Sequence, residues 1–220
     1  LLENTIVALA TPSGTGAIGI IRISGKESIS IASKCFKSHR DINIINQASH
    51  KTFLGWIKDD ERIIDKVLLT IYKGPNSYTG ENIVEISCHG SQYILQEILH
   101  LIVKNGAEPA KAGEFTLRAF LNRKMDLTQA EAVADLISSE SKASHELAIN
   151  QMRGGYSKNI SDLRGQLIHF ASMIALELDF SEEDVEFANR EEFQKLIKKI
   201  TILLKKLIDS FATGNVLKNG

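Results

Sequence analysis

The chain has 220 residues, of which 43% are hydrophobic and 24% are charged, and its 26 basic and 27 acidic residues leave a formal net charge of −1. This length permits one large domain or two small ones, and the charge argues against a strongly basic nucleic-acid-binding domain, though not against a local patch. Two distant cysteines, Cys35 and Cys88, argue against a disulfide framework and favour a reduced, cytoplasmic protein. Neither a membrane-spanning run nor a signal peptide is present, so no membrane association is expected.

The first 118 residues change between strand-like and helix-like segments. Runs rich in β-branched and aromatic residues predict five strands, at Thr5–Leu9, Ala17–Ile23, Thr52–Ile57, Val67–Tyr72 and Asn82–Cys88. Two further segments, Ser28–Phe36 and Ser91–Lys104, predict helices with Ser28 and Ser91 as their N-caps. Because strands and helices mix without a strict βα repeat, the sequence predicts an α+β domain over residues 1–118.

Residues 119–220 carry helical patterns instead. The stretch Gln129–Gln151 lacks Pro and Gly and predicts one long helix. Apolar residues that recur at spacings of three and four predict two more, over 160–178 and over 193–211. Thr128 precedes Glu131 by three residues, the spacing of a capping box at a helix start. An acidic run over 181–187 joins two of the helices. The sequence therefore predicts an all-α domain whose apolar stripes need partners.

A GxGxxG pattern runs from Gly14 to Gly19 between the first two predicted strands. A dinucleotide site would need a helix directly after these glycines, followed by an acidic residue about 20 residues on, for which Asp41 is the candidate. The following AIGIIRIS is β-branched and poor helix material. A tight turn between two strands is the better interpretation.

Arg22 and Glu85 each interrupt an otherwise apolar strand. For Arg22, one interpretation is a salt bridge on an edge strand, and the other is an anchor for an anion or a carboxylate. For Glu85, burial without donors would be costly, so it either pairs with a neighbouring cation or accepts two adjacent N–H groups of a ligand, such as those of a pterin ring.

Three other features have simpler interpretations. Cys88–His89 suggests a nucleophile or a metal ligand, but no second Cys or His cluster supports a metal site. Residues 113–137 begin with a basic segment that contains Arg118, Arg123 and Lys124 and continue into a helix start. The basic turn either is structural or meets an anionic ligand. The lysines between 195 and 206 are most simply the solvated face of a helix, with RNA contact as the alternative.

Three stretches, in this order, resemble the N-terminal part of the MnmE (TrmE) family of tRNA-modification GTPases. They are TIVALATPSGTGAIGIIRISG over 5–25, GPNSYTGENIVEISCHG over 74–90 and GEFTLRAFLNRKMDLTQAEAVADLI over 113–137, with a weaker match in LELDFSEEDVEF over 176–187. The resemblance implies that residues 1–118 form a tetrahydrofolate-binding and dimerisation domain, similar in fold to the folate domain of the glycine-cleavage T-protein. Residues 119–220 are then the first part of a helical domain.

The same resemblance places the folate contacts of the family at Arg22, Glu85 and Lys124. It implies 5-formyl- or 5,10-methylene-tetrahydrofolate as cofactor, a homodimer, tRNA as substrate and the flavoprotein MnmG (GidA) as partner. The activity it implies is installation of a (carboxymethyl)aminomethyl group at C5 of the wobble uridine. No metal site is implied in this part of the chain.

The sequence contains no GxxxxGK[ST] phosphate loop, so we expect a fragment that lacks the GTPase domain and does not hydrolyse GTP by itself. GTP, Mg²⁺ and K⁺ would then act only in that absent domain. Two alternatives remain at this stage. One is a dimerisation scaffold with a vestigial folate pocket, and the other, which rests on GxGxxG alone, is a nucleotide-dependent oxidoreductase.

Overall fold

A seven-stranded sheet is the framework of the N-terminal part of the computed structural model, which describes residues 3–179 and 190–219. Its strands are β1 (Ile6–Leu9), β2 (Ile18–Ser24), β3 (Phe36–Ser38), β4 (Lys51–Asp59), β5 (Arg62–Tyr72), β6 (Ile83–His89) and β7 (Glu108–Pro109). Their order across the sheet is β3-β4-β5-β6-β2-β1-β7. The described strand pairs are antiparallel except for β1 with β7.

Two helices, α1 (Ser28–Cys35) and α2 (Gln92–Lys104), contact the strands of this sheet and complete its core. Because side chains alternate along a strand, one face of each central strand supplies apolar residues to that core. The buried set includes Ile21, Ile23, Leu69, Ile71, Val84, Ile86, Ile98 and Ile102. The opposite face of β2 and β6 is left for Arg22 and Glu85.

All five predicted strands and both predicted helices of this part are confirmed, to within one or two residues at most ends. β5 begins earlier than predicted, at Arg62. The edge strands β3 and β7 were not predicted, because strands of two or three residues are too short to show an alternation of apolar and polar side chains. Ser28 is not the N-cap of α1. Glu27 occupies that position, and the Ser28 hydroxyl donates instead to the main-chain oxygen of Asn82 at 2.9 Å.

The structure divides the chain into two compact units, residues up to Met125 (the N-terminal unit) and residues from Asp126 (the C-terminal unit). The sequence places this boundary earlier, at residue 118. Residue 118 lies inside helix α3 (Glu114–Leu121), and its side chain bonds to residues of the N-terminal unit, which is why α3 belongs to that unit. The predicted order of an α+β domain followed by a helical domain is confirmed.

The C-terminal unit consists, in its described part, of helices α4 (Leu127–Ile137), α5 (Lys142–Met152), α6 (Gly155–Asp179) and α7 (Arg190–Asn219). The single helix predicted over Gln129–Gln151 is wrong, because the chain breaks it into α4 and α5. Three serines lie between residues 138 and 141, and their hydroxyls compete for main-chain groups. The side chain of Ser141 caps α5 by accepting the N–H of Ser144 at 3.1 Å. The acidic run over 181–187 lies outside the described residues.

The predicted capping box at Thr128 is also wrong, because Thr128 already lies in the first turn of α4. Asp126 is the N-cap, and its carboxylate accepts the N–H of Gln129 at 2.8 Å while the Gln129 side chain accepts the N–H of Asp126 at 2.9 Å. The capping box is therefore formed two residues earlier than the sequence pattern indicated.

Candidate functional site

Arg22 and Glu85 are direct neighbours across the antiparallel pair of β2 and β6. The Arg22 guanidinium contacts a single carboxylate oxygen of Glu85: Nε donates to Oε1 at 2.8 Å, and Nη2 lies 2.7 Å from the same oxygen as an ion-pair contact. The two side chains remain 26% and 23% exposed. The salt-bridge interpretation of Arg22 is thus confirmed, but its placement on an edge strand is wrong, since β2 lies between β1 and β6.

Three aromatic residues surround this ion pair. The Arg22 guanidinium carbon lies 5.3 Å from the ring centroid of Tyr78 and 5.6 Å from that of Phe115, within the range of cation–π attraction. The hydroxyl of Tyr72 donates to Glu85 Oε2 at 3.4 Å. Burial, together with the charge of Glu85, raises the pKa of Tyr72, so this hydroxyl keeps its proton and remains a donor. The carboxylate is therefore held from both of its oxygens.

Lys124, which follows α3, packs against the loop over residues 73–82, and Tyr78 belongs to that loop. Its Nζ donates to the main-chain oxygen of Pro75 at 2.9 Å. The loop accommodates the lysine stem at Gly80, where a Cβ atom would lie 3.2 Å from Lys124 Cγ and where φ is +78°, a conformation that favours glycine. The structure thus brings Arg22 and Glu85 into contact, and it packs Lys124 against the loop whose Tyr78 ring faces Arg22.

A buried ion-pair network anchors this loop to helix α3. Arg118 is 1% exposed and donates to Glu81 at 3.3 Å, to Glu114 at 2.9 Å and to the main-chain oxygen of Asn4 at 2.7 Å. Glu81 also accepts the Ser24 hydroxyl at 2.7 Å. Because burying a charge is costly unless it is paired, this network fixes the position of both the loop and α3.

Five of these residues were not predicted from the sequence, namely Tyr72, Tyr78, Glu81, Glu114 and Phe115, whereas Arg118 was expected only as part of a basic segment. Neither periodicity nor charge spacing distinguishes the five. Four of them do lie within the stretches 74–90 and 113–137 that carry the family resemblance, and this was the available signal. Tyr72 lies just before the first of these stretches.

The Cys88–His89 pair does not have the properties of a nucleophile. The Cys88 thiol is buried and donates to the main-chain oxygen of Gly19 at 3.4 Å. Burial, with a further contribution from Asp65, raises its pKa to about 11, so the reactive thiolate is scarce at neutral pH. His89 Nδ1 bonds to Asp65 Oδ1 at 2.6 Å. Within the described ranges, no group of three or more His, Cys, Asp or Glu side chains is arranged to hold a metal ion.

The GxGxxG segment forms the turn between β1 and β2. Gly14 has a φ of +135°, which requires glycine, and the N–H of Gly16 donates to the main-chain oxygen of Gly90 at 2.9 Å. A strand rather than a helix follows these glycines, so the dinucleotide interpretation is wrong. Across the described helices, none is long and apolar enough to cross a membrane.

Comparison with known proteins adds an independent finding. Residues 5–124 match the family model described as "GTP-binding protein TrmE N-terminus", and residues 127–220 match the one described as "MnmE helical domain". The chain is 60% identical over 220 residues to the tRNA modification GTPase MnmE of Flavobacterium psychrophilum, 59% over 218 residues to that of Flavobacterium johnsoniae and 53% over 219 residues to that of Bacteroides thetaiotaomicron. These alignments cover 99–100% of the chain but 47–48% of each relative. The chain therefore spans about half the length of the curated relatives it matches.

Proposed function

The chain belongs to the TrmE (MnmE) family, and from that premise we propose that its N-terminal unit binds a tetrahydrofolate through Arg22, Glu85 and Lys124. The observation that carries the proposal is the partly exposed Glu85 carboxylate, set among Tyr72, Tyr78 and Arg22 on the sheet face opposite the core. A pterin ring presents two adjacent N–H groups, and a carboxylate is the side chain that accepts such a pair.

The residues present fit the rest of a folate as well. A folate has an anionic glutamate tail at the end remote from the pterin, and the site contains two cations beside one carboxylate. The aromatic rings of Tyr78 and Phe115 offer flat apolar surface next to the polar pair. The bound folate would supply a one-carbon unit, while the residues of the chain bind and orient it.

In the longer protein, this unit would serve a tRNA-modification GTPase that installs a (carboxymethyl)aminomethyl group at C5 of the wobble uridine. The folate would be 5-formyl- or 5,10-methylene-tetrahydrofolate. GTP hydrolysis with Mg²⁺ and K⁺ would belong to a GTPase domain outside this chain. MnmG (GidA) would be the flavoprotein partner, and the reaction would take place in the cytoplasm.

We also propose that the chain forms a homodimer through its N-terminal unit. Apolar side chains on the sheet face opposite the core support this, since Ile18, Leu54 and Leu68 are 64%, 44% and 46% exposed. Leu54 and Leu68 are direct neighbours across β4 and β5, and contiguous exposed apolar surface is typical of protein interaction sites. Light scattering should report twice the monomer mass, and a monodisperse monomer at high concentration would contradict the dimer.

Calorimetric titration with 5-formyl-tetrahydrofolate tests the proposed site. Glu85→Gln keeps the shape of the side chain but removes its charge and one acceptor oxygen. It should weaken binding by about 1.5–3 kcal/mol, roughly tenfold to a hundredfold. Glu97→Gln is the matched control, because Glu97 forms an ion pair with Arg62 rather than with Arg22. Equal affinity of the parent chain and Glu85→Gln would reject the site.

A scaffold with a vestigial folate pocket is the second candidate function. The exposed sheet face is compatible with it, because a dimer needs no ligand. The same titration separates the two candidates. A scaffold would form the dimer and show no saturable folate binding, whereas the proposed folate protein shows both.

A further inference from the structure

The way Arg22 binds Glu85 affects any ligand of the carboxylate. On one edge of the guanidinium, Nε donates to Oε1 at 2.8 Å and Nη2 lies 2.7 Å from the same oxygen, whereas Oε2 accepts the longer bond from Tyr72 at 3.4 Å. An ionised carboxylate offers about two lone-pair sites on each oxygen. The hydrogen bond from Nε and the close Nη2 contact therefore obstruct Oε1, whereas Oε2 is largely available.

A ligand with paired N–H groups needs one site on each oxygen. The guanidinium edge is itself such a pair of N–H groups, and it occupies one of the two oxygens that the ligand requires. Arg22 is consequently an internal competitor for Glu85. Bidentate binding to the carboxylate therefore requires Arg22 to give up its contact with Oε1.

The released guanidinium then needs another acceptor. It is about one-quarter exposed and lies beside the rings of Tyr78 and Phe115, which attract a cation but offer it no hydrogen-bond acceptor at the ring face. Leaving a partly buried cation unpaired is costly. In a pterin ring, the carbonyl oxygen at C4 is adjacent to the N3–H group, so a ligand held at Glu85 brings an acceptor close to Arg22.

We infer that Arg22 determines ligand specificity by exchanging its bond to Glu85 for a bond to a carbonyl oxygen adjacent to the ligand's paired N–H groups. This inference rests on the proposed function. The site thus selects the 2-amino-4-oxo pattern of a pterin over a 2,4-diamino pattern. In the diamino ligand, an amino group at C4 replaces the carbonyl oxygen. This amino group and the Arg22 guanidinium are both hydrogen-bond donors, so no hydrogen bond forms between them. A site built to hydrogen-bond one group rejects an analogue that lacks it.

The test uses two ligands without a glutamate tail, 6-methyl-tetrahydropterin and its 2,4-diamino counterpart, at mildly alkaline pH. Dissociation constants are measured by calorimetry for the parent chain, Arg22→Met and the control Arg62→Met, which removes an exposed arginine paired with Glu97. The parent should prefer the 4-oxo ligand. The ratio of dissociation constants, diamino ligand over 4-oxo ligand, should fall at least about tenfold in Arg22→Met and stay unchanged in Arg62→Met.

The diamino ligand also lacks the N3–H group and therefore loses a hydrogen bond to Glu85. This loss weakens its binding equally in the parent and in both variants. A change in the ratio of dissociation constants between these proteins therefore reports on Arg22 alone. Arg22→Lys is measured in parallel in case Arg22→Met fails to fold. Lysine keeps the charge but not the planar fork, so its ratio should fall by a smaller factor. An unchanged ratio in whichever variant folds would overturn the inference.

Failure of the inference and failure of the proposed function give different results. If the parent binds 5-formyl-tetrahydrofolate but the ratio is insensitive to Arg22, the inference is wrong and the folate proposal stands. If the parent binds neither folate nor pterin, the proposed function is wrong and the inference falls with it.

Discussion

Replacing Arg118 by Met tests the buried network that holds the loop over residues 73–82 against α3. The change keeps much of the side-chain volume but leaves the carboxylates of Glu81 and Glu114 without their shared cation. Removing one partner of a buried ion pair typically costs about 3–5 kcal/mol. Because Glu81 remains 19% exposed, we expect a cost at the lower end of this range. Arg118→Met should therefore reduce the free energy of unfolding of the N-terminal unit by about 3 kcal/mol.

Urea unfolding followed by fluorescence measures this loss. The chain has a single tryptophan, Trp56, and it lies on β4, so the signal reports on the N-terminal unit. Arg62→Met removes an arginine that is 53% exposed, and because exposed ion pairs contribute little to stability, it should have only a small effect. A loss in Arg118→Met no larger than that in Arg62→Met would refute the assignment of the network as the anchor of the loop.

The pH dependence of the stability difference between the parent and Arg118→Met shows whether lost charge pairing causes that difference. Burial raises the pKa of Glu114, but the Lys111 N–H and Arg118 outweigh it and hold the pKa below the ordinary value of 4.5. A carboxyl with a lowered folded pKa contributes stability above its unfolded pKa and loses that contribution as the pH falls through the folded pKa. The stability difference between the parent and Arg118→Met should therefore shrink below about pH 4.5. A constant difference would show that lost packing rather than lost charge pairing is responsible.

Three further outcomes are expected. Cys35 and Cys88 should react with a thiol reagent at neutral pH only after unfolding, because burial raises both pKa values to about 11, and rapid labelling of the folded chain would contradict this. Ser141→Ala should lower the stability of the C-terminal unit by about 1 kcal/mol in thermal unfolding followed by circular dichroism, whereas Ser172→Ala, within α6, should not. A fluorescent GTP analogue should show no saturable binding to the chain, since the sequence lacks a phosphate loop, and saturation would refute that expectation.

The sequence predicted the fold better than it predicted local geometry. Alternating β-branched runs are a strong signal, and the strands of the N-terminal unit followed it. The break between α4 and α5 depends on serine hydroxyls competing for main-chain groups, a choice that composition does not determine. The same holds for the cap of α4, where Asp126 rather than Thr128 precedes the first helical turn.

For the candidate site, the sequence indicated Arg22 and Glu85 as polar residues within apolar strands, but it could not show that they are partners. Their pairing depends on the register of β2 with β6, strands separated by about 60 residues of chain. The contact also bears on a question that the sequence left open, namely which cation meets the folate tail. Because Arg22 touches Glu85, we propose that it lies at the pterin end, with Lys124 as the cation for the tail.

A crystal structure of the chain in complex with 5-formyl-tetrahydrofolate tests the proposed folate site most directly. We expect the pterin at Glu85, with its N3–H and 2-amino groups within about 3 Å of the two carboxylate oxygens. Arg22 should have left Oε1 and should donate to the carbonyl oxygen at C4. A folate bound elsewhere, with the Arg22–Glu85 pair intact, would contradict the proposed site.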